Sequence, residues 1–436
     1  MGKGRRYVIA ALIILAVVAV LFLRNRDKTV IKEPEIAENE EVTLRIYAQY
    51  ADDETKFPYD YAVEKLKEAY PNIKLELDIQ AQDDGDKLQT YAVTGNLPDI
   101  YQAGRQQIHS FKTSGNIMIL NDAAKSTGFL DKVSENAESI LYDTDGNIYA
   151  FPYAGNEVVV WYYNKALFEE YNLEVPKTYE ELLTVIKVFK ENGIIPMALF
   201  GKEKWVTTAF YDIIATRFER EGIDKLDKGN ERMLSDGYAQ AAEIVSQMAH
   251  AGLFSDNVTS ITYDQASELF YSGKAAMMIN GQWEMESAYK AMGEDVDWMY
   301  YPSYDLESYE STKDVWVGGG TIGGYAVNPN SPNSELAVEV AAFLAEKYCE
   351  AKYIYQSNPF VTLDISDNPI NPFNNMTKRL LEETKEASYT RFTWGLSNAD
   401  FKKAIEEQSQ LLLIPQYTSE EFINQMNQVL DKLTSD

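Results

Sequence analysis

The side chains best placed to do chemistry in this 436-residue chain are aromatic rings and amides, not nucleophiles. Two histidines, His109 and His250, and one cysteine, Cys349, are too few for a His/Cys metal site, a disulfide framework or a Cys–His dyad. Cys349 lies in the helical stretch FLAEKYCEAKY and reads as a small core residue. No G-x-S-x-G, G-x-x-x-x-G-K-[ST], H-E-x-x-H or EF-hand loop occurs. The run GGGTIGG at Gly318–Gly324 leads into the strand-like YAVN instead of a helix, so it is no dinucleotide fingerprint. With 68 acidic residues some glycosidase-like carboxylate pair can always be drawn, but no pair is singled out. No catalytic residue, cofactor or metal is therefore expected.

Aromatic and amide groups do recur where apolar runs stop. In GKAAMMINGQW the buried-strand pattern Ala275–Ile279 is broken by Asn280-Gly281, and Trp283 follows. Tyr101 and Gln102 follow LPDI, Asn156 follows YAG, and Trp205 sits in GKEKWVTT after IIPMALF. Trp316 precedes VGGG, and Trp394 lies in RFTWGLSN. In open α/β sheets ligands bind outside the carboxyl ends of strands. A flat ring there covers the C–H face of a sugar, while amides and carboxylates serve its hydroxyls. The competing place for each indole is a packed interior.

These groups need elements to hold them. Val42, Leu44 and Ile46 alternate as a strand; Val63, Leu66 and Tyr70 follow at helical spacing up to Pro71; Leu75, Leu77 and Ile79 alternate again. That is a strand–helix–strand unit of a parallel sheet. Gly146–Tyr171 reads as two strands interrupted at Pro152, the second of them, Val158–Tyr162, apolar throughout and hence central. Thr178 with Glu181 forms a capping box for a helix that stops at Gly193. Helices and short strands alternate to the C-terminus, giving an α/β class of two lobes.

Four stretches occur in one order at sensible spacing: TGNLPDIYQAG, YAFPYAGNEVVVWYYNKALF, FYSGKAAMMINGQWEME and WVGGGTIGGYAVNPNSPNSELAVEVAAFLAEKY. Together they resemble the family 1 extracellular solute-binding proteins of ABC importers, the group that includes maltose-binding protein. The resemblance implies a type II, two-lobe periplasmic-binding-protein fold, each lobe a mixed sheet flanked by helices, hinged around a ligand cleft. It implies lobe 1 from residues 42–155 plus 321–360 and lobe 2 from 156–320 plus 361–436. It places Gln49, Tyr50, Tyr101, Gln102, Asn156, Trp205, Trp283 and Gly318, Gly319 and Gly320 at the cleft, with Trp394 a looser assignment. It implies a monomer that presents a sugar or oligosaccharide to an ABC permease. The segment Tyr50–Asp60 departs from the pattern as a longer, more acidic loop. Asp52, Asp53 and Glu54 in it would suit a polyamine, the runner-up ligand; a secreted glycosidase and an inert scaffold are the remaining readings.

The balance of 40 Lys+Arg against 68 Asp+Glu, net −28, argues against nucleic acid as partner. At the N-terminus a basic start is followed by the apolar run Tyr7–Leu23 and a second basic cluster. Residues 1–28 read as an export signal or membrane anchor, and 29–41 as a polar tether. That places the protein at the extracellular face of the cytoplasmic membrane. The lipobox cysteine usual in Gram-positive relatives is missing.

Overall fold

The computed structural model describes residues 41–434 except 52, 82–84, 135, 136, 138, 139 and 321. The signal or anchor segment 1–28, the tether up to residue 40, Asp52 and the Asp53 side chain lie outside that description. Ten strands run through the described residues: β1 Val42–Ala48, β2 Ile73–Ile79, β3 Ile100–Ala103, β4 Val159–Asn164, β5 Ile195–Ala198, β6 Ala275–Gly281, β7 Val296–Met299, β8 Val315–Trp316, β9 Gly324–Val327 and β10 Ser388–Tyr389. One sheet has the order β2-β1-β3-β9, another β5-β6-β4-β7, and β10 pairs with β8. In the first sheet β1 and β3 are parallel and β9 is antiparallel; in the second β5 and β6 are parallel and β4 is antiparallel to both neighbours. The all-apolar run at Val158–Tyr162 is central, as its sequence requires: Val159–Tyr162 are fully buried in β4 between β6 and β7.

Two local expectations fail. The acidic stretch Tyr50–Asp60 is not a loop, because the helix Asp53–Ala69 starts inside it and carries Pro58. Acidic residues suit the positive start of a helix, and the Thr55 hydroxyl accepts from the Ala51 N–H just ahead of it (3.1 Å). The first strand expected in Gly146–Tyr171 shrinks to one bridge, Phe151 with Tyr325, because Pro152 removes the next donor. The capping box at Thr178 and Glu181 forms as read.

The chain passes between the two sheets three times, and these passages are bonded together. Val158 bridges Gly318, and the Val159 N–H donates to the Val317 carbonyl (2.8 Å). The Gly155 N–H donates to the Phe360 carbonyl (3.1 Å), and the Thr362 hydroxyl donates to the Ala154 carbonyl (2.8 Å). Gly318 has φ +116°, and a Cβ there would stand 2.6 Å from the Glu157 carbonyl oxygen and 2.7 Å from the Phe392 ring.

A buried carboxylate fastens the helix Lys204–Ala215 to the strand end at Thr390. Asp212 accepts from the Thr390 hydroxyl and from the Ile223 N–H, each at 2.8 Å. Burial raises its pKa to about 7; the bonds from Thr390 and Ile223 oppose the rise, Asp224 adds to it and Arg217 subtracts. The folded form thus keeps a proton that an unfolded aspartate has lost near 4. The stabilisation tied to that proton is complete below that value and is gone once pH has risen through about 7.

Gly318→Ala is expected to lower the thermal midpoint by about 5 °C more than Gly193→Ala, a positive-φ glycine with open space around it; equal losses in parallel melts would remove the crowding argument. Asp212→Asn removes the titration. Its stability relative to the parent should climb between about pH 4 and about pH 7 by up to roughly 1.4 kcal/mol per pH unit and level off above, and a flat difference in denaturant melts would show that Asp212 is ionised throughout.

Candidate functional site

β1 and β3 run parallel, so their carboxyl ends, Gln49-Tyr50 and Gly104-Arg105, lie at one edge of the first sheet. β5 and β6 run parallel too, which puts the stretch leading to Trp205 and the Gly281–Trp283 turn at one edge of the second. The turn Thr393–Gly395 sits between these edges. The helix Arg105–Ser114 packs against it, and a Cβ on Gly104 would lie 3.7 Å from the Trp394 carbonyl oxygen.

At this junction three half-buried indoles meet. The Trp205 ring centroid is 5.7 Å from Trp283 and 5.2 Å from Trp394, and Trp283 is 6.5 Å from Trp394. Phe392 is buried beneath and stacks on Trp394 at 4.1 Å and 15°. Gly281 explains why Trp283 can follow the strand so closely. Its φ is ordinary, but a Cβ there would come within 2.3 Å of the Trp283 ring, so only glycine lets the indole fold back over its own strand end. The next residue, Glu284, is buried and accepts from the Ser267 hydroxyl (3.2 Å) and from the Tyr263 and Tyr271 hydroxyls. These donors hold a desolvated carboxylate behind Trp283, which fixes the turn.

The other expected site residues separate into three groups. Asn156 and Gly320 meet, the Gly320 N–H donating to Asn156 Oδ1 (2.9 Å), and Gly318 and Gly319 lie in the same backbone passage. Gln49 and Gln102 also meet, the Gln49 N–H donating to Gln102 Oε1 (2.7 Å). Tyr50 is half-buried with its hydroxyl on Asp60 (3.0 Å), which raises its pKa. Tyr101 and Trp316 are corrected to core positions. Tyr101 is 0% exposed, packs on Phe111 and donates to the Asn116 carbonyl (2.7 Å), because its place in β3 aims the ring into the first sheet's core. Trp316 is 2% exposed among Trp298, Tyr300 and Tyr301, because β8 pairs it inward against β10. Neither ring offers a face to a ligand. Cys349 is a core residue as read; burial pushes its thiol up to about 12.

Sequence reading missed Phe392, Glu284, Asp212 and Arg105. Phe392 had one available signal, its place two residues before Trp394; a buried carboxylate carries none. Arg105 opens the helix that faces Trp394, is half-buried, and is held below the usual arginine range by burial first and the Arg391 charge second. Among the described residues no cluster of three or more His, Cys, Asp or Glu could hold a metal ion, and no helix is long and apolar enough to cross a membrane.

The chain is similar to an uncharacterised ABC-transporter extracellular-binding protein of Pyrococcus horikoshii, at 25% identity over 57% of this chain and 57% of that protein. It is also similar to the multiple sugar-binding protein of Streptococcus mutans, at 20% identity over 68% of this chain and 70% of that protein. The chain thus spans little more than half the length of the first of these relatives. A solved chitin oligosaccharide binding protein shares the fold, with a TM-score of 0.78 at 21% identity over 91% of this chain and 100% of that one. The match to the sequence pattern of bacterial extracellular solute-binding proteins runs over residues 51–347, and the chain belongs to that family of binding proteins.

Proposed function

We propose that this protein is the extracellular substrate-binding component of an ABC importer, and that it takes a sugar or oligosaccharide between its two sheets. The observation that carries the reading is the meeting of Trp205, Trp283 and Trp394 over Phe392 at the edge of the second sheet, facing the helix Arg105–Ser114. Three half-buried indoles in contact at 46–67° to one another leave partly exposed ring surface, which suits the C–H faces of sugar rings. The names of the Streptococcus mutans relative and of the chitin oligosaccharide binding protein point the same way.

In this reading residues 42–155 with 321–360 form one lobe and 156–320 with 361–436 the other. The three bonded passages at 154–158, 317–320 and 360–362 act as the hinge. Ligand favours the closed arrangement only by its preference for it, and the closed form is what the permease reads. The protein breaks no bond and works as a monomer. It is held at, or exported through, the cytoplasmic membrane by residues 1–28. Specificity comes from hydrogen bonds that a wrong sugar would leave unmade in a dry cleft.

A thermal-shift screen over neutral sugars, acidic sugars, polyamines and peptides tests the ligand class, since a ligand of the native state raises the melting temperature by mass action. A sugar is expected to give the shift; a shift from polyamines alone would replace this reading. Trp283→Ala and Trp394→Ala should each weaken sugar binding by about 10- to 100-fold in calorimetry while the unliganded melting temperature stays within a few degrees. A collapse of the unliganded melt would make the indoles structural.

A further inference from the structure

Seven arginines fall within the described residues, and six are engaged. Arg45 meets Asp78 and Asn96, Arg217 the carbonyls of Thr312 and Val315, Arg220 Asp314, Arg232 Asp431, Arg379 Asp297 and Arg391 Asp224. The Arg105 guanidinium alone among them forms no hydrogen bond, ion pair or ring contact with the described residues. This is unexpected in a chain with 68 carboxylates. It is more so because Arg105 is half-buried and within the field of a second cation, Arg391. A desolvated charge without a partner costs free energy, and folded chains normally supply the partner themselves.

The carboxylates whose fields reach Arg105 are already committed. Asp143 is bonded to Lys112. Asp224 is bonded to Arg391 at 2.7 Å and to Lys228 at 3.4 Å. Asp227 accepts from the Ser397 N–H and hydroxyl and from the Asn398 N–H at 2.8–2.9 Å. The Arg105 guanidinium, without a partner among the described residues, is thus carried by the first residue of the helix that packs against the Trp394 turn.

We infer that the ligand is an acidic sugar, and that Arg105 receives the carboxylate of a uronic acid residue whose neighbouring rings lie on Trp205, Trp283 and Trp394. This rests on the sugar-binding reading above and narrows it. A guanidinium fork matches a carboxylate in two parallel hydrogen bonds. A singly charged group is preferred over a phosphate dianion because Asp143, Asp224 and Asp227 add negative field around the same point. The bound carboxylate would also relieve the repulsion between Arg105 and Arg391, so Arg105 makes its partner only in the loaded state.

The test compares uronic-acid-containing di- and trisaccharides with the same compounds after carboxyl reduction to neutral hexose, by calorimetry on the full chain. The acidic member of a pair is expected to bind at least about 30-fold more tightly, with a preference that shrinks as salt rises. Arg105→Gln should abolish that preference while retaining neutral-sugar binding, and Arg105→Lys should keep part of it. The unliganded melting temperature of Arg105→Gln should equal or exceed that of the parent; a variant that unfolds would assign Arg105 a structural part and overturn the inference. Equal or tighter binding of the reduced sugar by the parent protein overturns the carboxylate and leaves the sugar reading standing. A stronger response to glucose 6-phosphate than to any uronate replaces the carboxylate with a phosphate. Silence toward every sugar overturns both.

Discussion

Three lengths of backbone carry the chain between the two sheets, and they are hydrogen-bonded to one another at their ends. Val158 with Gly318, Val159 with Val317, and Gly155 with Phe360 bring together residues far apart in sequence. The crowding at Gly318 follows from the same contact, since two backbones and the Phe392 ring approach where a side chain would otherwise stand. The helix Arg105–Ser114 that follows β3 and the helix Lys204–Ala215 that follows β5 both pack on the turn Thr393–Gly395. On the proposed reading, this joint of paired backbone is where the sheets turn relative to each other on closure.

The segment from Thr390 to Gly395 gathers the aromatic rings beside that joint. Thr390 bonds to Asp212, in the same helix whose second residue is Trp205. Phe392 then lies beneath Trp394, and Trp394 closes against both Trp205 and Trp283. Glu284 anchors the remaining corner through three hydroxyl donors. Aromatic faces are thus set by buried carboxylates whose hydrogen bonds are satisfied from neutral donors. Such bonds orient the rings without placing fixed cations among them.

The electrostatic contrast within the site is informative for the same reason. In a chain of net charge −28, every described arginine but one has a partner among the described residues, and the exception opens the helix that packs on the Trp394 turn. A surface cation left unbonded in water costs little; a half-buried one next to another cation costs more. On the proposed reading, a bound carboxylate relieves that cost.

Much of this was legible in the residues. Alternation and helical spacing identified most of the α/β elements, because side-chain period reports which face is buried. The break at Asn280-Gly281 marked Trp283, and motif order marked the passages at Asn156 and Gly318–Gly320. What sequence could not separate was one indole from another. Trp161, Trp298 and Trp316 went to the core, and Trp205, Trp283 and Trp394 to the junction. A tryptophan near a strand end has the same local signature in either place. The choice is made by which distant segment arrives over it, and for Trp316 that is β7, for Trp394 the start of the helix at Arg105. Local pattern determined the elements and the kinds of group at their ends. Long-range pairing alone decided which rings share a surface and which charge has no partner among the described residues, because both depend on contacts between residues that no sequence period connects.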